Sequence, residues 1–142
     1  ERLGNVNRIF INRDALDRAI ELVPSKNVGI TMCQGCYAAM GEDVIDTIKY
    51  FGNKNKIFFI HFRDICGERH CFRETFHDNG QTNMVKAIQT YKEIGYQGPI
   101  RVDHVPTMAG EENAKPGYTS VGRLYAIGYL KGLLDGCGYQ YR

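Results

Sequence analysis

Three short apolar runs, Val28-Gly29-Ile30-Thr31-Met32, Lys56-Ile57-Phe58-Phe59-Ile60 and the weaker Pro99-Ile100-Arg101-Val102, are separated by stretches whose apolar residues recur at helical spacing. Continuous apolar strands, as opposed to alternating ones, suit a parallel sheet buried on both faces. Arg8-Ile9-Phe10-Ile11 is a further strand candidate at the front. The first helix is expected over Asp14 to Val23, with Ala15, Leu16, Ala19, Ile20 and Val23 on one stripe and Pro24 as its stop. A second spans Glu42 to Phe51, with Val44, Ile45, Ile48 and Phe51 inward, acids at its start and Gly52 at the C′ position. A third runs from Asn83 to Ile94 on Met84, Val85, Ile88 and Tyr91, closed by Gly95. The last, Thr119 to Leu134, uses Val121, Leu124, Tyr125, Leu130 and Leu133, with Gly136 beyond. It contains Gly122, Gly128 and Gly132, each costing about 1 kcal/mol against Ala, so close packing on a neighbour is expected there. The order of elements predicts right-handed βαβ units in an α/β fold. A small open sheet and part of a closed barrel satisfy it equally.

Composition narrows the function classes. The 142 residues are 43% apolar and 24% charged, which excludes disordered and fibrous chains. A net charge of +2, with the basic residues scattered, leaves no electrostatic footprint for nucleic acid or an anionic membrane. No apolar run approaches the roughly 20 residues of a membrane span. The start, Glu1-Arg2-Leu3-Gly4, lacks a signal-peptide pattern, so a soluble cytoplasmic protein is expected. Five cysteines without the dense spacing of a secreted scaffold read as reduced thiols or metal ligands.

Chemistry concentrates at the strand ends. Cys33 follows the first run, His61 the second, and Asp103 and His104 the third. In α/β barrels catalytic residues sit at the carboxyl ends of several strands, so residues far apart in sequence meet at one mouth. Cys33, His61 and Asp103 are 28 and 42 residues apart, the longer interval holding one further long loop, Cys66 to Gly80. Thiolate, imidazole and carboxylate form a mixed soft and hard donor set suited to Fe(II), Mn(II) or Zn(II). Singly, each residue has a plainer reading: a strand-end cysteine is usually a small buried hydrophobe.

Five blocks resemble the D-mannonate dehydratase family in order and spacing: Gly29-Ile30-Thr31-Met32-Cys33-Gln34-Gly35, Ile57-Phe58-Phe59-Ile60-His61-Phe62-Arg63-Asp64, Phe72-Arg73-Glu74-Thr75-Phe76-His77-Asp78-Asn79-Gly80, Arg101-Val102-Asp103-His104-Val105-Pro106-Thr107-Met108, and Pro116-Gly117-Tyr118 through Gly122-Arg123-Leu124. The resemblance implies a (β/α)₈ barrel akin to xylose isomerase that converts D-mannonate to 2-keto-3-deoxy-D-gluconate in hexuronate catabolism. It implies a divalent ion, Mn(II) or Fe(II), with Cys33, His61 and Asp103 at three ligand positions. It makes His104 and Tyr118 the acid/base candidates, with either assignment open. Arg63 is then a candidate clamp for the sugar-acid carboxylate, and His77 and Asn79 candidates for its hydroxyls. The family also implies a homo-oligomer.

The family's remaining histidine ligand lies upstream of the cysteine block, where residues 1–32 contain no histidine. The chain also starts without Met. Both lead to the expectation that residues 1–142 are the C-terminal portion of a single TIM-barrel domain, about three to four βα units of eight, inactive and poorly soluble alone. Two other readings compete. Cys33-Gln34-Gly35-Cys36 is a Cys-x-x-Cys of the kind found in redox sites, although Gly41 and the expected start of the next helix set that helix apart from Cys36. Cys33, Cys36, Cys66 and either His70 or Cys71 have the count of a structural zinc site.

Overall fold

A computed structural model describes residues 2–3, 5–112 and 114–140. A short antiparallel hairpin, β1 (Arg2–Leu3) with β2 (Val6–Asn7), precedes α1 (Arg13–Leu22). The chain continues through β3 (Ile30–Cys33), α2 (Gln34–Ala39), α3 (Val44–Asn53), β4 (Ile57–Phe62), β5 (Ile65–Glu68), β6 (Cys71–Glu74), α4 (Met84–Glu93), β7 (Ile100–Val102) and α5 (Ser120–Gly136). The three expected apolar runs form one parallel sheet in the order β3-β4-β7. The candidate strand at residues 8–11 does not form. Ile9 and Phe10 are exposed, so that run has no neighbour to bury against among the described residues.

Parallel pairing sets Met32 beside Ile60, Ile60 beside Ile100 and Phe62 beside Val102. These side chains share one face of the sheet, because paired residues in register point the same way. Met32, Ile60 and Phe62 are fully buried and join one core with Ile48 and Phe51 of α3, Ile88 and Tyr91 of α4, and Ala126 and Leu130 of α5. Strands added in sequence order by crossovers of one hand place every connecting helix on the same side. The other face carries Thr31, Cys33, His61 and Arg101, with Thr31 and Arg101 exposed. Burial on both faces was expected from the apolar runs; among the described residues only one face is covered.

Helix starts follow from local chemistry. Asn12, Asp43 and Asn83 each accept a hydrogen bond at 2.9 Å from the backbone amide three residues on, satisfying an otherwise unpaired donor. Gly95 adopts the left-handed conformation expected after α4. Gly52 does not do so after α3: it lies inside that helix, where a Cβ would sit 2.3 Å from Ile94 Cδ1, and Asn55 takes the positive φ instead. The reason for glycine at 52 is therefore the close approach of α4's end. The glycines of α5 divide. A Cβ at Gly122 would meet the Pro106 carbonyl oxygen at 2.7 Å, whereas Gly128 and Gly132 face open space within this chain. No helix of the described residues is long and apolar enough to cross a membrane.

Two features depart from simple βαβ order. The short α2 follows β3 directly, and the segment read as a long loop contains the antiparallel hairpin β5–β6. The hairpin leaves and returns at Asp64. This buried carboxylate accepts from Ile65 N at 2.9 Å and from Thr82 N at 3.1 and 3.2 Å. A Cβ on Gly80 would lie 2.1 Å from Asp64 Oδ2. Gly80→Ala should therefore cost about 1–3 kcal/mol through forced displacement of the carboxylate, read from urea unfolding.

Helix α1 is tied to α3 by polar contacts. Asp17 accepts from Tyr50 Oη at 2.5 Å and from Lys54 Nζ at 2.6 and 2.7 Å. Burial works to raise this carboxyl, but the Lys54 and Tyr50 hydrogen bonds outweigh it and hold it below 3.8. A depressed carboxyl contributes stability above its unfolded value and loses it as pH falls through the folded one. Asp17→Asn should thus lower the melting temperature near neutral pH and have no effect in strong acid, as thermal unfolding across pH will show.

Candidate metal centre at the strand ends

The register that buries one face of the sheet aligns chemistry on the other. Cys33 pairs with His61, and His61 pairs with Arg101, two residues before Asp103. The backbone amide of Asp103 donates to the Phe62 carbonyl at 3.0 Å, extending the pairing past the end of β7. One donor atom from each of Cys33, His61 and Asp103 lies within 4.8 Å of the others, the only such group among the described residues. His61 Nδ1 is 3.5 Å and Cys33 Sγ 4.0 Å from Asp103 Oδ2. Arg101 Nη2 donates to Asp103 Oδ1 at 2.7 Å, which fixes the carboxylate and leaves Oδ2 turned to the other two donors. The His61 ring meets Phe59 edge-on at 4.9 Å.

The thiol is prepared for the ligand role. A hydrogen bond from the Cys36 thiol, the largest influence, and the nearby Arg63 charge outweigh burial and bring Cys33 down to about 6. The same hydrogen bond, with burial, pushes Cys36 up. Metal ligation requires the thiolate, and of the two thiols Cys33 is the one whose surroundings favour it. The donor set fits a divalent transition ion with room for a further ligand.

Beside the triad runs a second chain of contacts. His104 Nε2 lies 2.7 Å from Tyr118 Oη, and His104 Nδ1 lies 3.2 Å from Glu74 Oε1. Arg63 donates from Nε to Glu74 Oε2 at 3.0 Å and from Nη2 to Glu74 Oε1. Its Nη1 is 3.3 Å from Cys36 Sγ and 3.8 Å from Cys33 Sγ. The loop carrying Tyr118 is anchored by Glu111, whose carboxylate accepts from Met108 N at 2.9 Å and Val121 N at 2.7 Å and so caps α5 in place of Thr119.

The structure thus brings together Cys33, His61 and Asp103, and separately His104 and Tyr118. It does not offer Arg63 as a free carboxylate clamp, since the guanidinium is buried and its donors are taken by Glu74 and the thiols. His77 is also withdrawn. Its ring stacks on Phe62 at 5.2 Å, its Nε2 contacts the Phe62 carbonyl, and burial lowers its basicity, so it packs against β4. Asn79 is exposed on the returning loop. Glu74 and Glu111 carried no signal of their own in the sequence, because the partners of Glu74 lie 11 and 30 residues away and Glu111 caps a helix from 10 residues upstream.

The competing cysteine readings change as well. Helix α2 begins immediately after Cys33 and contains Cys36, so the separation expected between that motif and a helix is wrong. Cys66 and Cys71 are exposed on the hairpin β5–β6, and neither they nor Cys36 and His70 belong to a metal-holding cluster among the described residues. The structural zinc set is not assembled.

Known proteins resemble this chain over nearly its whole length. The D-mannonate dehydratase (UxuA) family profile matches residues 2–142. Mannonate dehydratase 2 of Halalkalibacterium halodurans is 38% identical over 133 residues, covering 90% of this chain and 38% of that protein. Mannonate dehydratase of Thermotoga neapolitana is 36% identical over 133 residues, covering 90% and 36%. Among solved structures, mannonate dehydratase from Streptococcus suis serotype2 superposes with a TM-score of 0.88 at 28% identity, covering 99% of this chain and 42% of that one. A xylose isomerase domain protein from Planctomyces limnophilus matches with a TM-score of 0.73 at 21% identity over 91% and 45%, a likeness of fold. The chain spans under two-fifths of the length of these curated relatives.

Replacing a donor should cost metal and replacing its neighbour should not. Cys33→Ser and Asp103→Asn are expected to weaken divalent-ion binding at least about tenfold, while Cys36→Ser retains the ion. Metal content after equilibrium dialysis reads both.

Proposed function

The chain belongs to the D-mannonate dehydratase family, and from that premise we propose that residues 1–142 form the C-terminal portion of a xylose-isomerase-like (β/α)₈ barrel that removes water from D-mannonate to give 2-keto-3-deoxy-D-gluconate. The observation that carries this is the convergence of Cys33, His61 and Asp103 on one mouth, at the carboxyl ends of three adjacent parallel strands. That is where such barrels place their chemistry. Helices on a single face suit a barrel wall, whose other face looks into the barrel. The outer edges of β3 and β7 are unpaired among the described residues. On α5, Val121, Leu124, Gly128 and Gly132 form a stripe in which the aliphatic side chains are exposed and the glycines are open. We assign that stripe to the neighbouring barrel helix outside this chain, supported by the two-fifths coverage of relatives.

Dehydration removes the proton on C2 and the hydroxyl on C3, leaving an enol that becomes the 2-keto acid. The C2 proton is weakly acidic, so negative charge building on the adjacent carboxylate has to be stabilised. Cys33, His61 and Asp103, with a histidine from an upstream strand, would hold Mn(II) or Fe(II), which supplies Lewis-acid polarisation of that carboxylate when bound. Arg101 keeps Asp103 aimed inward. His104 and Tyr118, hydrogen-bonded to each other, are the pair that takes the C2 proton and protonates the departing hydroxyl. The exposed Asn79 is available to a sugar hydroxyl. The assembled enzyme is assigned to the cytoplasm as a homo-oligomer.

Tyr118→Phe removes one hydroxyl and touches no donor of the triad. In the full-length enzyme it should keep its metal and lose turnover by about 10²–10⁴-fold, measured as 2-keto acid formed from D-mannonate. Normal turnover by this variant would remove Tyr118 from the mechanism.

A further inference from the structure

We infer that Glu74 is the positioning residue of the proton pair: its carboxylate accepts the Nδ1 proton of His104, and Nε2 is thereby the ring atom that faces the Tyr118 hydroxyl without a proton of its own. The inference rests on the dehydratase reading for its kinetic part and on geometry for the rest.

An ionised carboxylate can only accept hydrogen bonds. With Glu74 Oε1 at 3.2 Å from His104 Nδ1, the ring proton of a neutral imidazole belongs on Nδ1. Nε2 then offers a lone pair at 2.7 Å from Tyr118 Oη, and the phenol donates to it. The two rings meet edge-on at 4.8 Å. Asp103 Oδ1, 4.0 Å from Nε2, is too distant to compete for that position. Glu74 therefore selects one tautomer of His104, and the tautomer sets which way the Tyr118 hydrogen bond runs.

Glu74 is itself held to this task. It ends the hairpin strand β6 and lies under the fork of Arg63, whose two parallel donors fix the plane of the carboxylate. Arg63 has no freedom to swing away. Its side chain is 8% exposed, its guanidinium lies over the Phe72 ring at 5.8 Å, and a Cβ on Gly35 would come within 2.8 Å of its Cγ. Glycine at 35 thus clears the path by which Arg63 crosses α2 to reach Glu74. Glu74 is not among the grouped metal donors. Arg63, offered by sequence as a substrate clamp, acts two steps from the proton pair.

The test uses the full-length protein. Histidine-selective ¹⁵N labelling of the metal-free wild type in mildly alkaline buffer should show His104 protonated on Nδ1 and bare on Nε2. Glu74→Gln, whose amide can face the ring with a donor or an acceptor, should populate both tautomers and lower kcat by about 10²–10³-fold, with KM within about twofold and metal content unchanged. A wild-type His104 carrying its proton on Nε2 overturns the inference, as does a variant with unchanged tautomer and kcat. A variant that raises KM with kcat intact also overturns it, because Glu74 would then contact substrate. The wild-type spectrum decides the matter if Glu74→Gln fails to fold. A wild type that shows the Nδ1 tautomer but no turnover of D-mannonate would sink the dehydratase reading and leave the assignment of Glu74 to His104 standing.

Discussion

The in-register parallel pairing of β3, β4 and β7 is the constraint on which the other features depend. Cys33, His61 and Arg101 stand side by side because their backbones are paired residue for residue. A slip of one position in any strand would turn its donor toward the helices and its apolar neighbour toward the opposite face. The slip is prevented by packing. Met32, Ile60 and Phe62 fill the helix-facing layer completely, and their burial is lost if the register moves. The same hydrophobic layer that stabilises the sheet thus specifies which three donors meet on its other side.

Charge placement follows a repeated device. Each of Asp103 and Glu74 is held by an arginine and has a further contact directed at chemistry. Arg101 anchors Asp103, whose free oxygen faces His61 and Cys33. Arg63 grips Glu74, whose Oε1 also faces His104. Held carboxylates lose little freedom when they bind a proton donor or an ion. Arg63 also lies close to both cysteine sulfurs, so the thiol and imidazole halves of the mouth share one buried cation.

The parts of this organisation visible in the sequence are those written locally. Apolar runs gave the three strands, and the residue after each run gave Cys33, His61 and Asp103. Helices α1, α3 and α4 were legible to within two or three residues at either end because their stripes and caps lie within each segment. The hairpin β5–β6 was not legible. Its strand β6 is exposed apart from the half-buried Glu74, so no hydrophobic period marks it. The Arg63–Glu74 pair was not legible, because the partner arrives by a chain reversal 11 residues long. Nor was the burial of His77, whose contact Phe62 lies 15 residues back along the chain. Gly52 shows the limit of pattern alone. A glycine near a helix end is normally a stop, and here it is a notch for Ile94.

The excursion from Asp64 begins and ends on the same residue. Ile65 and Thr82 both donate to its carboxylate, and Gln81 N reaches the Ile65 carbonyl at 2.9 Å. A loop closed on itself in this way transmits no length to the elements on either side. A change of length in the turn between β5 and β6 is therefore not passed on to β4 and α4, although it would move Arg69, which donates to the carbonyls of Ile11 at 2.7 Å and Met40 at 3.3 Å. The returning half has no such freedom, because Glu74 and Gly80 each have to arrive at a fixed place. Variation in this family should be permitted on the outward journey and refused on the way back.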